Sequence, residues 1–294
     1  MFTSGEVEDL ISDATQALAE LSTQLGGEQL WVNKHFLSTV HGCEVRALAP
    51  DPFAWRPATA AGFVAHKAIE LAMNWRGEPI PATLVDEAIA RLADQPTDRG
   101  DWVAGLTEAD RADLRGRAVE RVTRFLQDFP PLDPRAHPML EASIKWRPDG
   151  CVELAGKADL VMGKPQGRES RRLIVDFKTG RRSPVHREDL RFYALLETLV
   201  TSVPPRRVAT YYLDYSECDA EDVTMPLLHS SLRRMLDGIA AHIALTIEHR
   251  APRKRVGAPC TWCAVLGSCA EGTAHLNVVR GDGDGGGIAD TLLA

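Results

Sequence analysis

The chain contains no apolar run approaching the roughly 18 residues that a membrane span requires. Its opening residues, Met1-Phe2-Thr3-Ser4-Gly5-Glu6, show neither the charged start nor the apolar stretch of a secretory signal. A cytoplasmic protein with no membrane attachment is therefore expected. A phosphate-cradling Walker loop is missing, because Gly163-Lys164-Pro165-Gln166-Gly167 lacks the Gly-Lys-Ser/Thr ending, so no internal ATPase is expected. Neither Gly-x-Ser-x-Gly nor His-Glu-x-x-His occurs, and no internal repeat is visible. Excess positive charge is lacking too. The formal net charge is −7, so no global basic field recruits nucleic acid.

What is present is ordinary for a globular protein: 294 residues, 44% hydrophobic and 26% charged, enough for one large domain or a domain with a subdomain. Six cysteines in a reducing compartment suit metal ligation better than a disulfide framework. Basic residues clump locally. Lys164, Arg168, Arg171, Arg172, Arg181, Arg182, Arg187 and Arg191 gather around one stretch, and Arg250, Arg253, Lys254 and Arg255 follow later. They form either a solvated loop face or a phosphate-binding rim.

The first 130 residues read as helical. Thr3-x-x-Glu6 is a capping box, and Val7, Leu10, Ile11, Ala14, Leu18, Leu21 and Leu25 follow at helical spacing until Gly26-Gly27. Further helices are expected over 60–76, near 84–93 and from about 107 to 129, before Pro130, Pro131, Pro134 and Pro138. The pattern then changes. Residues 139–146, 152–162, 173–177 and 208–214 are short apolar or alternating runs, which predict a sheet of about four strands. A helix over 188–199 between the last two predicts a parallel, right-handed βαβ unit. Another helix, over 232–249, leads to the late cysteines, and a Gly/Asp-rich stretch suggests a flexible tail.

The chemistry centres on Leu173-Ile174-Val175-Asp176-Phe177-Lys178-Thr179-Gly180, a short buried strand that ends in charge. Residues i and i+2 of a strand share a face, so Asp176 and Lys178 project together. Asp159 closes the run Gly156-Lys157-Ala158-Asp159, and Glu141 sits in the first strand. Carboxylates and a lysine on neighbouring strands can hold Mg²⁺ or Mn²⁺ with an attacking water, the arrangement for phosphodiester hydrolysis. Separately, Cys260-x-x-Cys263-x5-Cys269 offers three thiolates on one loop. Cys43 is the best candidate for the fourth ligand, since Cys151 lies in a turn and Cys218 in an acidic loop. The spacing suits either zinc or an iron–sulfur cluster.

Taken in order, these residues resemble the PD-(D/E)XK nucleases, specifically RecB-like iron–sulfur exonucleases such as the stand-alone CRISPR-associated exonucleases and the AddB nuclease domain. The resemblance spans about 31–272: Cys43, Gly62-x-x-x-His66, Gly156-x-x-Asp159, Asp176-x-Lys178-Thr-Gly, a helix bearing Tyr193, then Cys260, Cys263 and Cys269. It implies an α/β fold with a restriction-endonuclease-like core and a mixed central sheet, preceded by a helical region and closed by a C-terminal cysteine cluster. The implied segments are a helical extension (1–30), a helical region (31–138), the nuclease core (139–249), the cysteine loop (250–272) and a tail (273–294). It implies that His66, Asp159 and Asp176 hold the catalytic metal, with Glu141 a further acid, and that Lys178 is catalytic. Cys43, Cys260, Cys263 and Cys269 would hold a 4Fe–4S cluster, with zinc the alternative occupant. Tyr193, Arg191, Arg181 and Arg182 would face the substrate. The implied substrate is DNA, with preference for single-stranded ends, and the implied partners are helicase or CRISPR-type proteins. One position departs from the pattern: where such nucleases carry Gln on the Tyr-bearing helix, this chain has Asp189.

Overall fold

The computed structural model describes residues 2–49, 55–164 and 171–281. The calls made on Arg168 and on the Gly-rich stretch from 282 onward lie outside these residues.

Local chemistry accounts for most element boundaries. Helix α1 (Ser4–Gln24) starts at the expected capping box, in which the Thr3 hydroxyl accepts from the Glu6 N–H and the Thr3 N–H donates to the Glu6 carboxylate. Strand β1 (Leu30–Val32) leads directly into α2 (Lys34–Val40), whose first turn is capped by the Asn33 side chain. Helices α3 (Glu44–Leu48), α4 (Pro57–Met73), α5 (Pro81–Ala93), α6 (Asp98–Ala104) and α7 (Glu108–Asp128) complete the helical half. Proline opens both α4 and α5, where its missing N–H costs nothing. Four strands follow: β2 (Met139–Trp146), β3 (Val152–Met162), β4 (Leu173–Lys178) and, after α8 (Pro184–Thr201), β5 (Arg207–Tyr212). Strand β6 (Glu217–Asp222), α9 (Met225–Thr246), two short 3₁₀ turns and α10 (Ala270–Gly281) close the described chain.

The mixed sheet has six strands, against the four or so expected. β1 and β6 escaped notice: one is three residues long, and the other reads Glu-Cys-Asp-Ala-Glu-Asp, with no hydrophobic alternation. β4 and β5 pair in parallel around α8, as the βαβ pattern implied. The expected tail from 273 onward is instead helical as far as Gly281.

Two apolar cores cover the two faces of the sheet. One collects α1, α2, α8 and α9, including Leu10, Leu37, Leu195 and Met235. The other collects α4, α5 and α7, including Ala65, Leu84 and Phe125. Strand β4 serves both in alternation: Ile174 faces the first core, and Val175 and Phe177 face the second. Asp176 and Lys178 therefore lie on the α8 face with Ile174.

The pairing of β3 creates an opening. Residues 154–161 pair with β2 along one edge, while on the other edge β1 takes only 152–154 and β4 only 160–162. β3 and β4 thus separate immediately after the Leu160–Val175 pair, just where Asp159 and Asp176 stand. The β2–β3 ladder also skips one pair, Glu141 with Asp159, and Glu141 has a left-handed φ of 52°. A non-glycine residue held there is strained, and such strain concentrates at working sites.

Candidate active site

Helix α4 crosses the sheet next to this opening. Gly62 permits the approach: a Cβ there would stand 3.1 Å from Thr179 Oγ1, in the turn after β4. One turn later His66 reaches the strands, its Nδ1 3.3 Å from Asp159 Oδ1 and its ring edge-on to Phe177. Asp159 Oδ2 accepts a 2.6 Å hydrogen bond from the Phe177 N–H, so the acid itself bridges the separating strands. Glu141 joins from β2 and is ion-paired to Lys157. Ligand atoms of His66, Glu141 and Asp159 lie within 4.8 Å of one another. Burial disfavours the charged His66 ring, but Asp159 outweighs it, so its pKa lies above the usual histidine value.

Asp176 is wholly buried and does not join that trio at the same spacing. Its Oδ1 lies 2.9 Å from Lys34 Nζ and its Oδ2 2.8 Å from Lys178 Nζ. Burial opposes its ionisation, yet the two lysines hold its carboxyl below the ordinary range. The same pairing raises Lys34 despite the burial of its ammonium. Lys178 also reaches Asp189 Oδ2 at 3.3 Å, and burial raises the pKa of Asp189. His186, on the first turn of α8, is lowered to about 4 by burial and then by the Lys178 charge.

Lys34 is the residue that sequence reasoning missed. It lies 142 positions before Asp176, and no local pattern ties the two. The preceding Asn cap and short apolar strand were the signals available, and they mark a helix start rather than a site.

The residues expected to face substrate divide. The Tyr193 hydroxyl donates to the Lys157 carbonyl at 2.7 Å, its ring sits 5.0 Å from the Lys34 ammonium, and burial pushes its pKa up to about 12. Gly156 makes room for that ring, since a Cβ would come within 2.6 Å of Tyr193 Cε1. Arg191 is committed to Glu221 and Glu188, and Arg182 to Glu217 and Asp219. Arg181 is exposed and has no ion-pair partner among the described residues.

The four cysteines named above do converge. Cys43, Cys260, Cys263 and Cys269, all free thiols, line one cavity of about 210 Å³. The Gly272 N–H donates to Cys269 Sγ at 3.4 Å, and a Cβ on Gly272 would stand 3.3 Å from that sulfur and 3.7 Å from Cys260 Sγ. Glu44, next to Cys43, ties the N-terminal half to the late loop through Arg250 and Arg253. By contrast Cys151 is buried against Ser22, and Cys218 is exposed on β6.

The donors suit the groups they would hold. Three carboxylates and one imidazole form a predominantly hard set, appropriate to Mg²⁺ or Mn²⁺. Asp176 Oδ2 is buried and faces the Lys178 ammonium at 2.8 Å without an aligned hydrogen bond, so a cation would compete with that ion pair for it. No helix among the described residues is long and apolar enough to cross a membrane.

A family model described as the PD-(D/E)XK nuclease superfamily matches residues 33–270. No curated protein sequence matches the chain. Among solved structures, a candidate exonuclease from Eubacterium rectale aligns at 12% identity over 78% of this chain and 85% of its own, with a TM-score of 0.48. The protein SSO0001 aligns at 14% identity over 72% of this chain and 97% of its own, with a TM-score of 0.33. Both likenesses are faint, so the family assignment rests on the sequence model.

Proposed function

The chain belongs to the PD-(D/E)XK nuclease superfamily, a family of phosphodiester hydrolases, and on that premise we propose that it is a metal-dependent DNA exonuclease acting mainly on single-stranded ends. The observation that carries this reading is the meeting of His66, Glu141 and Asp159 within 4.8 Å at the opening beside Asp176 and Lys178. His66, Glu141, Asp159 and Asp176 would hold Mg²⁺ or Mn²⁺. Such an ion, when bound, polarises the phosphoryl group and lowers the pKa of its water. Asp159 is oriented for this by the Phe177 N–H, and Asp176 by its lysines. The Lys178 ammonium, balanced between Asp176 and Asp189, orients the attacking water or donates to the oxygen on which charge grows. Arg181, three residues after β4 ends and exposed, would be available to meet a phosphate.

The cysteine cavity would hold a 4Fe–4S cluster with a structural role. What supports this is the convergence of Cys43, Cys260, Cys263 and Cys269 on one cavity; zinc is the alternative occupant. The role would be DNA repair, recombination or CRISPR adaptation, with strand separation supplied by a helicase or CRISPR-type partner.

The test is digestion of end-labelled single-stranded DNA with Mn²⁺, alongside a covalently closed single-stranded circle and an RNA strand. Linear DNA should shorten from its ends, the circle should persist, and Asp176→Ala should slow the reaction at least about 10²-fold. Equal cutting of the circle would replace this reading with a structure-selective endonuclease. A cluster-loaded wild type inert on every substrate would make the chain a DNA-binding adaptor.

A further inference from the structure

Asp176 faces two ammonium groups, Lys34 and Lys178, and shares only Lys178 with a second acid, Asp189. Lys178 shares the strand and accompanies Asp176 in the family pattern. Lys34 comes from elsewhere, and its position is fixed at both ends. β1 pairs Val32 with Leu154 of β3, and Asn33 caps α2. At the far end of α2, His41 Nε2 lies 2.7 Å from the Arg234 carbonyl on α9. Gly238 of α9 lets Leu37, Val40 and His41 pack closely, since a Cβ there would come within 2.9 Å of Leu37 Cδ2. Lys34 is therefore no loose surface lysine. Its ammonium rests over the Tyr193 ring, 2.9 Å from Asp176 Oδ1.

The consequence lies in where Asp176 points. Its carboxylate is held on the α8 face between two ammonium groups, while His66, Glu141 and Asp159 gather without it. A divalent cation shared by all four residues must draw Asp176 toward the trio and meet the Lys34 charge as it arrives. With 32% of its side chain exposed, Lys34 has a route to withdraw.

We propose that Lys34 is a positioning residue that competes with the divalent cation for the Asp176 carboxylate and so sets the metal concentration at which the centre is complete. This rests on reading the acids as a metal centre. It makes Lys34 an internal stand-in for the cation: it compensates a buried acid when metal is absent and costs affinity when metal binds.

The test is calorimetric titration of Mn²⁺ into anaerobically purified full-length protein freed of divalent cations, with melting temperature followed in parallel. Lys34→Met should bind Mn²⁺ about tenfold more tightly than wild type, yet melt lower in its absence, because Asp176 loses a counter-charge. Lys34→Arg keeps the charge and should stay within about threefold of wild type. If Lys34→Met does not fold, Lys34→Gln carries the measurement, because it retains a donor to Oδ1 without the charge. Folded neutral variants with wild-type or weaker Mn²⁺ affinity overturn the proposal. A wild type that binds Mn²⁺ but cuts no nucleic acid sinks the nuclease reading and leaves the Lys34 result standing. A wild type that binds no Mn²⁺ overturns both.

Discussion

Asp189 places a fourth carboxylate in a centre that already holds Glu141, Asp159 and Asp176. It is buried and accepts from Lys178 at 3.3 Å, so its first effect is on that lysine rather than on substrate. A negative charge near the path of a polyanion also weakens binding, more so at low salt. Asp189→Gln, which removes this charge, should tighten single-stranded DNA binding about threefold at low ionic strength and change turnover by less than about tenfold. Fluorescence anisotropy with Ca²⁺ in place of the catalytic ion, repeated across salt concentrations, checks this. A salt-independent loss of affinity would show that Asp189 contacts substrate favourably. At this scale the sequence was informative where a motif is local. Asp176 and Lys178 are two residues apart on one strand, and His66 follows Gly62 by one turn. Lys34 was illegible because its partner is distant in sequence and its neighbours describe only a helix cap. Glu141 was legible as an acid in a strand, but not as the residue whose left-handed backbone interrupts the ladder.

Elements explain why the arginines singled out from the sequence have other duties. β6 is an acidic edge strand, and arginine side chains from α8 reach it. Glu221 receives Arg187 and Arg191 from α8, while Glu217 and Asp219 receive Arg182 from the preceding turn. Three members of the suggested rim, Arg182, Arg187 and Arg191, are thus neutralised by a strand that the hydrophobic pattern could not reveal. Exposed edges are commonly protected by such charges. The Arg191 hydrogen bond, then burial working against it, and then Arg187 leave Glu221 with a pKa of about 2, against 4.5 for a free glutamate. The sign follows from linkage: a carboxyl depressed in the folded state adds stability above about pH 4.5, and loses it as pH falls toward 2. Glu221→Gln should therefore cost about 1–2 kcal/mol near neutrality and converge with wild type by about pH 2 to 3, as denaturant melts across pH would show. Cleavage rate at neutral pH should remain within about twofold, because the contact lies outside the metal centre. A large rise in DNA affinity alone would show that Arg191 and Arg187, once released, reach the substrate.

At the scale of the whole molecule, α2 stands between the acidic site and the cysteine cavity. Its first residue, Lys34, pairs with Asp176 beside the candidate metal site, and Cys43 follows three residues after its last. The chain ends that carry the cysteines are over two hundred positions apart, yet Cys43 shares a cavity with Cys260, Cys263 and Cys269. Closing so long a loop is entropically costly, and ligation that exists only in the folded chain contributes its binding free energy to folding. The Glu44 pairs with Arg250 and Arg253 clasp the same region, but ion pairs of half-exposed and exposed guanidinium groups would contribute little beside a bound cluster. Cys43→Ala should therefore abolish iron and sulfide loading and lower the melting temperature by more than about 10 °C, whereas Cys218→Ala, on the exposed edge strand, should change neither. Absorption near 400 nm, iron and sulfide assay and calorimetric melting, all on anaerobic protein, separate the outcomes. If Cys43→Ala retains a full cluster and its melting temperature, the N-terminal half is held by packing and Glu44 alone. If iron is lost but the fold and cleavage survive, the cluster is dispensable to the α2 seam, and Lys34 reaches Asp176 without it.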